Sequence, residues 1–163
     1  MSHSILVAYA SRNGSTREVA ETVKRVLDAG GEPAAMRPVL EAKDLSGFRG
    51  VVLGGSIYRA ALQQEAMLFL KRHHETLTQL PLAIFALGPI KNDPDEWARS
   101  RRQLDASLAE LPGLRVRSIA VFGGVIVPHR LPHPMNQLPP SDNRDWSAIK
   151  AWAREARVAL MQP

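Results

Sequence analysis

Apolar residues in this chain switch repeatedly between two spacings. Residues 4–10 (Ser-Ile-Leu-Val-Ala-Tyr-Ala) form a short continuous apolar run, followed at once by Ser-Arg-Asn-Gly-Ser-Thr. So short a run, rich in strand formers, predicts a strand buried on both faces and ending in a loop. From Thr16 the period becomes helical: Val19, Ala20, Val23, Val26 and Leu27 share one face until Gly30-Gly31 stops it. A weaker strand is expected over residues 34–39, where Pro33 and Pro38 restrict it to an edge. The third strand is expected over residues 48–56, ending in Gly54-Gly55-Ser56, followed by one helix carrying Ala66, Phe69, Leu70, His73, Leu77 and Leu80.

The alternation then repeats. Residues 82–87 predict a fourth strand, ended by Gly88-Pro89. Asp93 before Pro94 is a helix start, with Trp97, Arg101, Leu104, Leu108 and Leu111 at helical spacing until Pro112-Gly113. Residues 114–122 make a fifth strand before Gly123-Gly124, and Asp145 caps a last helix whose inner face is Ile149, Trp152, Ala153, Ala156 and Leu160. Strands alternating with helices at this spacing predict an α/β fold, a doubly wound five-stranded parallel sheet with helices on both faces. Five of the twelve prolines lie between Pro128 and Pro140, so residues 125–144 are expected to be an extended, mobile loop without a core of its own. At 163 residues the chain has room for one such domain.

Composition narrows the chemistry. There is no cysteine, which removes disulfides, thiolate metal sites and cysteine nucleophiles, so redox chemistry would have to come from a bound cofactor. No apolar run reaches the roughly 18 residues of a spanning helix. Residues 1–10 lack the charged start and apolar middle of a secretion signal, so a cytoplasmic location is expected. The formal charge is +5, with Arg99, Arg101, Arg102, Arg115, Arg117 and Arg130 set against Asp105 and Glu110 over residues 98–130. That excess suits either a solvated surface or peripheral contact with an anionic membrane. Nucleic acid is not an expected partner.

In an open parallel sheet the ligand lies beyond the carboxyl ends of the strands, where the strand order reverses. The first loop there offers the hydroxyls of Ser11, Ser15 and Thr16, the Asn13 amide, Arg12, and backbone N–H groups made accessible by Gly14 at the positive end of a helix. This is a nest for a phosphate. No G-x-x-x-x-G-K-[ST] exists for a nucleoside triphosphate and no G-x-G-x-x-G follows the first strand for a pyrophosphate, so a phosphate monoester fits best. The alternative is a plain helix cap. A second loop holds Ser56, Ile57 and Tyr58, with Tyr58 as an aromatic face for a flat ring. A third holds Gly88, Pro89, Ile90 and Lys91.

Other polar residues have structural explanations. His73 and His74 are adjacent and point about 100° apart on a helix, which is not a metal pair. His129 and His133 sit among prolines without a third ligand at useful spacing, Ser11 has no readable histidine and acid partners, and Trp97, Trp146 and Trp152 read as core.

Residues 11–16 resemble the phosphate loop of flavodoxins, S/T-x-T-G-x-T, with Asn13 where that family usually has threonine. Gly54-x-Ser56-Ile57 followed by tyrosine and arginine, Phe69-Leu-Lys71-Arg72-His73, and Asp145-Trp146 resemble one branch, the flavodoxin-like, menaquinone-dependent protoporphyrinogen dehydrogenases. The resemblance spans nearly the whole chain except residues 125–144, where those enzymes carry a longer, basic insertion. It implies FMN as cofactor, held by residues 11–16, by Ser56, Ile57 and Tyr58, and by Leu87, Gly88, Pro89 and Ile90. It further implies a quinone or redox-protein acceptor and a porphyrinogen substrate, with the flavin rather than a side chain carrying the reaction. A non-enzymatic FMN electron carrier, and an interaction module that has lost FMN, are the alternatives; ordinary flavodoxin carriers are acidic, whereas this chain is basic.

Overall fold

The computed structural model describes residues 4–163. The chain runs β1 (Ile5–Tyr9), α1 (Ser15–Ala29), β2 (Ala34–Pro38), β3 (Gly50–Tyr58), β4 (Ala61–Leu62), α2 (Gln64–Arg72), α3 (His74–Leu77), β5 (Leu82–Leu87), α4 (Pro94–Ala109), β6 (Val116–Phe122), β7 (Val125–Ile126), β8 (Ser141–Asp142) and α5 (Trp146–Met161), with 3-10 turns at Pro128–Arg130 and Met135–Gln137. Five parallel strands pair in the order β2-β1-β3-β5-β6. Order reverses at β1, which has β2 on one side and β3 on the other, so the switch point lies beyond Tyr9 and the end of β3.

The continuous apolar runs follow from burial on both faces. Successive side chains of a strand point to opposite sides. Ile5, Val7 and Tyr9 of β1, with Ala83 and Phe85 of β5, join the core under α1 and α5, alongside Val19, Val23, Leu27, Ile149 and Trp152. Leu6, Ala8, Leu53, Leu82 and Ile84 join the opposite core with Phe69, Leu70 and Leu104. Helices therefore flank both faces, as the doubly wound reading requires. The Trp152 indole N–H donates to Ser118 Oγ at 2.9 Å, fastening α5 to the edge strand β6.

Several elements differ from the sequence reading. The helix expected through Ala66 and Leu80 is two helices. At His73 the backbone leaves helical geometry (φ −103°, ψ 16°), and its ring Nε2 sits 2.9 Å from the Ala42 carbonyl. Strand β3 does not stop at its glycines but continues to Tyr58 and turns back through Arg59 and Ala60 into β4, with Tyr58 opposite Ala61. The last parallel strand begins at Val116. The proline-rich segment carries short structure of its own: β7 and β8 pair antiparallel, with the two 3-10 turns between them. Of the three tryptophans only Trp152 is buried, while Trp97 and Trp146 are half-buried because they sit at the first turns of α4 and α5.

Candidate phosphate and ring site at the switch point

Gly14 starts α1 in the left-handed region at φ +89°, a conformation that costs an L-residue about 1–2 kcal/mol and that glycine adopts freely. The turn brings Ser11 back on itself, and its Oγ accepts from the Gly14 N–H at 2.9 Å. The serine is thus used on the loop and not on the helix. No side chain caps α1, whose first intrahelical bond here is Glu18 N–H to Gly14 C=O. By contrast, α4 and α5 are capped by Asp93 and Asp145, which accept from the Asp95 and Ala148 N–H groups. The free N–H groups in the first turn of α1 face a loop of hydroxyls, which is the donor set a phosphate monoester needs.

Beyond this cradle a cavity of about 220 Å³ opens among Ser11, Thr16, Tyr58, Leu87, Ile90 and Ile126. Arg12, Asn13, Ser15, Ser56, Ile57 and Gly88 also border it. Gly14 and Pro89 shape it through the backbone: the Pro89 carbonyl accepts from Gly124 N–H at 2.6 Å, fixing the third loop against the end of β6. Larger surface clefts exist beside residues 44–48 and between α1 and Lys150. The first lies at the amino ends of the strands, and neither adjoins the switch point.

Tyr58 is half-exposed at the cavity rim, with the guanidinium carbons of Arg12 and Arg59 4.9 and 5.3 Å from its ring centroid. Arg12 also bonds Glu65 at 3.1 Å, bridging the loop between β1 and α1 to α2. Burial alone would raise the Glu65 carboxyl, but bonds from its own backbone N–H, Arg12 and Gln63 hold it below the ordinary carboxylate range.

Sequence reasoning missed two contributors. Gln63, 2% exposed, lines the cavity and accepts from Ser56 Oγ at 3.0 Å. Nothing in the sequence distinguished it from any polar residue at a helix start. The proline-rich segment supplies a whole wall through Val125, Ile126, Leu131, Pro132 and Met135. Its return path depends on Gly123, where any Cβ would collide with the Asn143 carbonyl, and on the Asn143 N–H bond to Gly124 C=O at 3.0 Å. Arg144 in this segment has a buried side chain paired with Asp142 at 2.7 Å and with Glu18 at 3.5 Å, and it donates to the Ser15 carbonyl at 3.2 Å.

The six arginines of residues 98–130 do not form one surface. Helix α4 sets Arg99, Arg101 and Arg102 against Asp95, Glu96 and Asp105, and Arg101 is paired with Asp105 at 3.0 Å. Arg115 and Arg117 lie at the start of β6, whereas Arg130 lies at the opposite end of the sheet, bonded to the Asn13 carbonyl. No helix of the described residues is long and apolar enough to cross a membrane.

A family model described as flavodoxin domain matches residues 6–133. No curated protein matches the chain. Among solved structures, oxidised flavodoxin 2 from Bacillus cereus is 22% identical, with a TM-score of 0.60 over 95% of this chain and 97% of that one. A cysteine-to-alanine mutant of flavodoxin from Pseudomonas aeruginosa is 18% identical, with a TM-score of 0.63 over 98% of this chain and 99% of that one. Rubredoxin oxygen:oxidoreductase from Desulfovibrio gigas is 14% identical, with a TM-score of 0.65 over 96% of this chain but 36% of its own. These likenesses concern the fold; the family match, which takes in residues 11–16, the Tyr58 turn and the third loop, places this chain in the flavodoxin domain family.

Proposed function

We propose that this chain binds FMN and passes electrons between a reduced organic substrate and a quinone or redox-protein acceptor. The observation that carries this reading is the uncapped amino end of α1, set in a hydroxyl-rich loop that shares one cavity with a half-exposed tyrosine. When bound, the flavin supplies the electron transfer itself. The chain's own residues bind and orient it: Ser11, Ser15, Thr16 and the α1 N–H groups hold the phosphate, Tyr58 covers one ring face, and the backbone of residues 87–90 lines the ring's edge. Leu131, Pro132 and Met135 add an apolar wall to that cavity.

Oxidation of protoporphyrinogen IX is the narrower form of this reading, supported by the sequence resemblance around Ser56, Phe69 and Asp145. A non-enzymatic FMN carrier is the second reading, favoured by full-length structural likeness to chains named flavodoxins. Contact with an anionic membrane would rest on Arg99 and Arg102, exposed on α4 and in no ion pair among the described residues. Loss of low-salt vesicle flotation in Arg99→Glu/Arg102→Glu tests it.

The visible spectrum of the purified protein, before and after FMN is added, tests the cofactor. Thr16→Ala is expected to weaken FMN by roughly tenfold to a hundredfold, the value of a charge-assisted hydrogen bond. Unchanged affinity in both Thr16→Ala and Ser11→Ala would remove the phosphate from this loop. Turnover of a porphyrinogen with a quinone, without a partner protein, separates the enzyme from the carrier.

A further inference from the structure

We propose that Arg130, delivered by the proline-rich segment, is a direct cationic ligand of the cofactor phosphate and restricts the site to a terminal monoester. The inference rests on the FMN reading above and names a residue outside the phosphate loop. Three arginines touch that loop. Arg12 is neutralised by Glu65, and Arg144 is neutralised by Asp142 and Glu18 while it holds the Ser15 carbonyl. Arg130 is in no ion pair among the described residues, so it alone brings uncompensated charge.

Its position fits the role. Nη1 donates to the Asn13 carbonyl at 2.8 Å and lies 3.6 Å from where a Cβ on Gly14 would stand. One of the five guanidinium N–H groups is used in that bond, which leaves a fork of donors beside the cradle. The loop contains no lysine, and the α1 terminus offers only partial charge, equivalent to roughly half a unit. A doubly charged monoester therefore gains more from Arg130 than from any other side chain near it. In FAD the phosphate next to the ribityl chain is a diester bridge with one negative charge instead of two, so it gains less from the guanidinium and FAD is disfavoured relative to FMN. Riboflavin, which has no phosphate, is indifferent to the residue.

Flavin titrations of the full chain, followed by fluorescence, test this with FMN, riboflavin and FAD as separate probes. In Arg130→Gln, FMN affinity should fall by about tenfold to a hundredfold, riboflavin affinity should stay unchanged, and the preference for FMN over FAD should narrow. Arg130→Lys, which keeps the charge, should recover much of the FMN affinity, and added salt should weaken FMN more in the wild type than in Arg130→Gln. The side chain is exposed, so the fold does not depend on it, and circular dichroism of each variant checks this. If the wild type binds FMN and Arg130→Gln binds it equally well, or loses FMN and riboflavin in the same proportion, the phosphate contact is wrong while the cofactor reading stands. If the wild type binds no flavin, both fall.

Discussion

Ser56 Oγ donates to Gln63 Oε1 at 3.0 Å, joining the end of β3 to the residue that precedes α2, and the pair borders the cavity. Because Gln63 is almost fully buried, its amide has no water to fall back on. Gln63→Leu leaves the Ser56 hydroxyl without this partner and should lower stability by about 1–3 kcal/mol, or at least about 2 °C in Tm. A double-mutant cycle with Ser56→Ala should give a coupling of about 0.5–1.5 kcal/mol in thermal or urea unfolding. Additive effects would mean that the bond contributes nothing.

The turn that presents Tyr58 holds removable strain. Arg59 and Ala60 both have positive φ, at 50° and 66°, as a two-residue hairpin turn requires, yet neither is glycine. The strain is tolerated because the hairpin is anchored on α4, where Ser107 Oγ accepts from Leu62 N–H at 3.0 Å. Ala60→Gly relieves the left-handed alanine, and the larger unfolded-state entropy of glycine cancels part of the gain. A net rise of about 0.5–1 kcal/mol, roughly 1–4 °C, is expected by calorimetry. A lower Tm would show that the turn is not strained.

These two sites mark where the sequence stopped being legible. Strand β1, α1 and the inner face of α5 were readable because burial on two faces leaves an unbroken apolar run and burial on one face leaves a 3.6-residue period. The same logic failed at Gly54-Gly55, which reads as a strand end. Gly54 is in fact mid-strand because the Phe85 ring of β5 lies across it. It failed again at His73, where a helical period of apolar residues continues although the backbone does not. The polar loop that the structure sets at the switch point was visible as a cluster of polar types around one glycine. The wall from residues 125–135 was not, since prolines erase any period and the apolar side chains face a cavity rather than a core.

In the proposed site Tyr58, at the cavity rim, is the aromatic side chain that would stack on the flavin. With Arg12 and Arg59 close to its ring, Tyr58→Ala should lose both the stacking surface and a partner for two cations. Bound flavin is expected to become more fluorescent, and affinity to fall by roughly two- to tenfold, in line with about 0.5–1.5 kcal/mol for one aromatic pair. Tyr58→Phe should keep both properties. Unchanged quenching in Tyr58→Ala would place the ring elsewhere.

Acid should weaken the clasp that Arg144 keeps on the Ser15 carbonyl. The Asp142 carboxyl is held below its ordinary value first by hydrogen bonds from the Arg144 side chain, against some burial, and Arg144 is raised in turn chiefly by its bond to Asp142. For a carboxyl lowered in the folded state, the stabilisation is fully present above its unfolded pKa and is lost as pH falls through the folded one. Protonation of Asp142 leaves the buried Arg144 guanidinium with Glu18 as its remaining acidic partner, and with it the clasp on the Ser15 carbonyl. Asp142 is partly exposed, so the contribution is set at about 1 kcal/mol, roughly 2–4 °C, rather than the value of a buried pair. Asp142→Asn should therefore melt lower than the wild type at about pH 7, and the difference should shrink as both are taken below the ordinary carboxylate range of about pH 4. Glu65, also lowered, adds an acid dependence of the same sign to both proteins and so cancels in the comparison. A gap in Tm that persists unchanged at low pH would show that the Asp142 carboxylate is not what holds Arg144 on the loop.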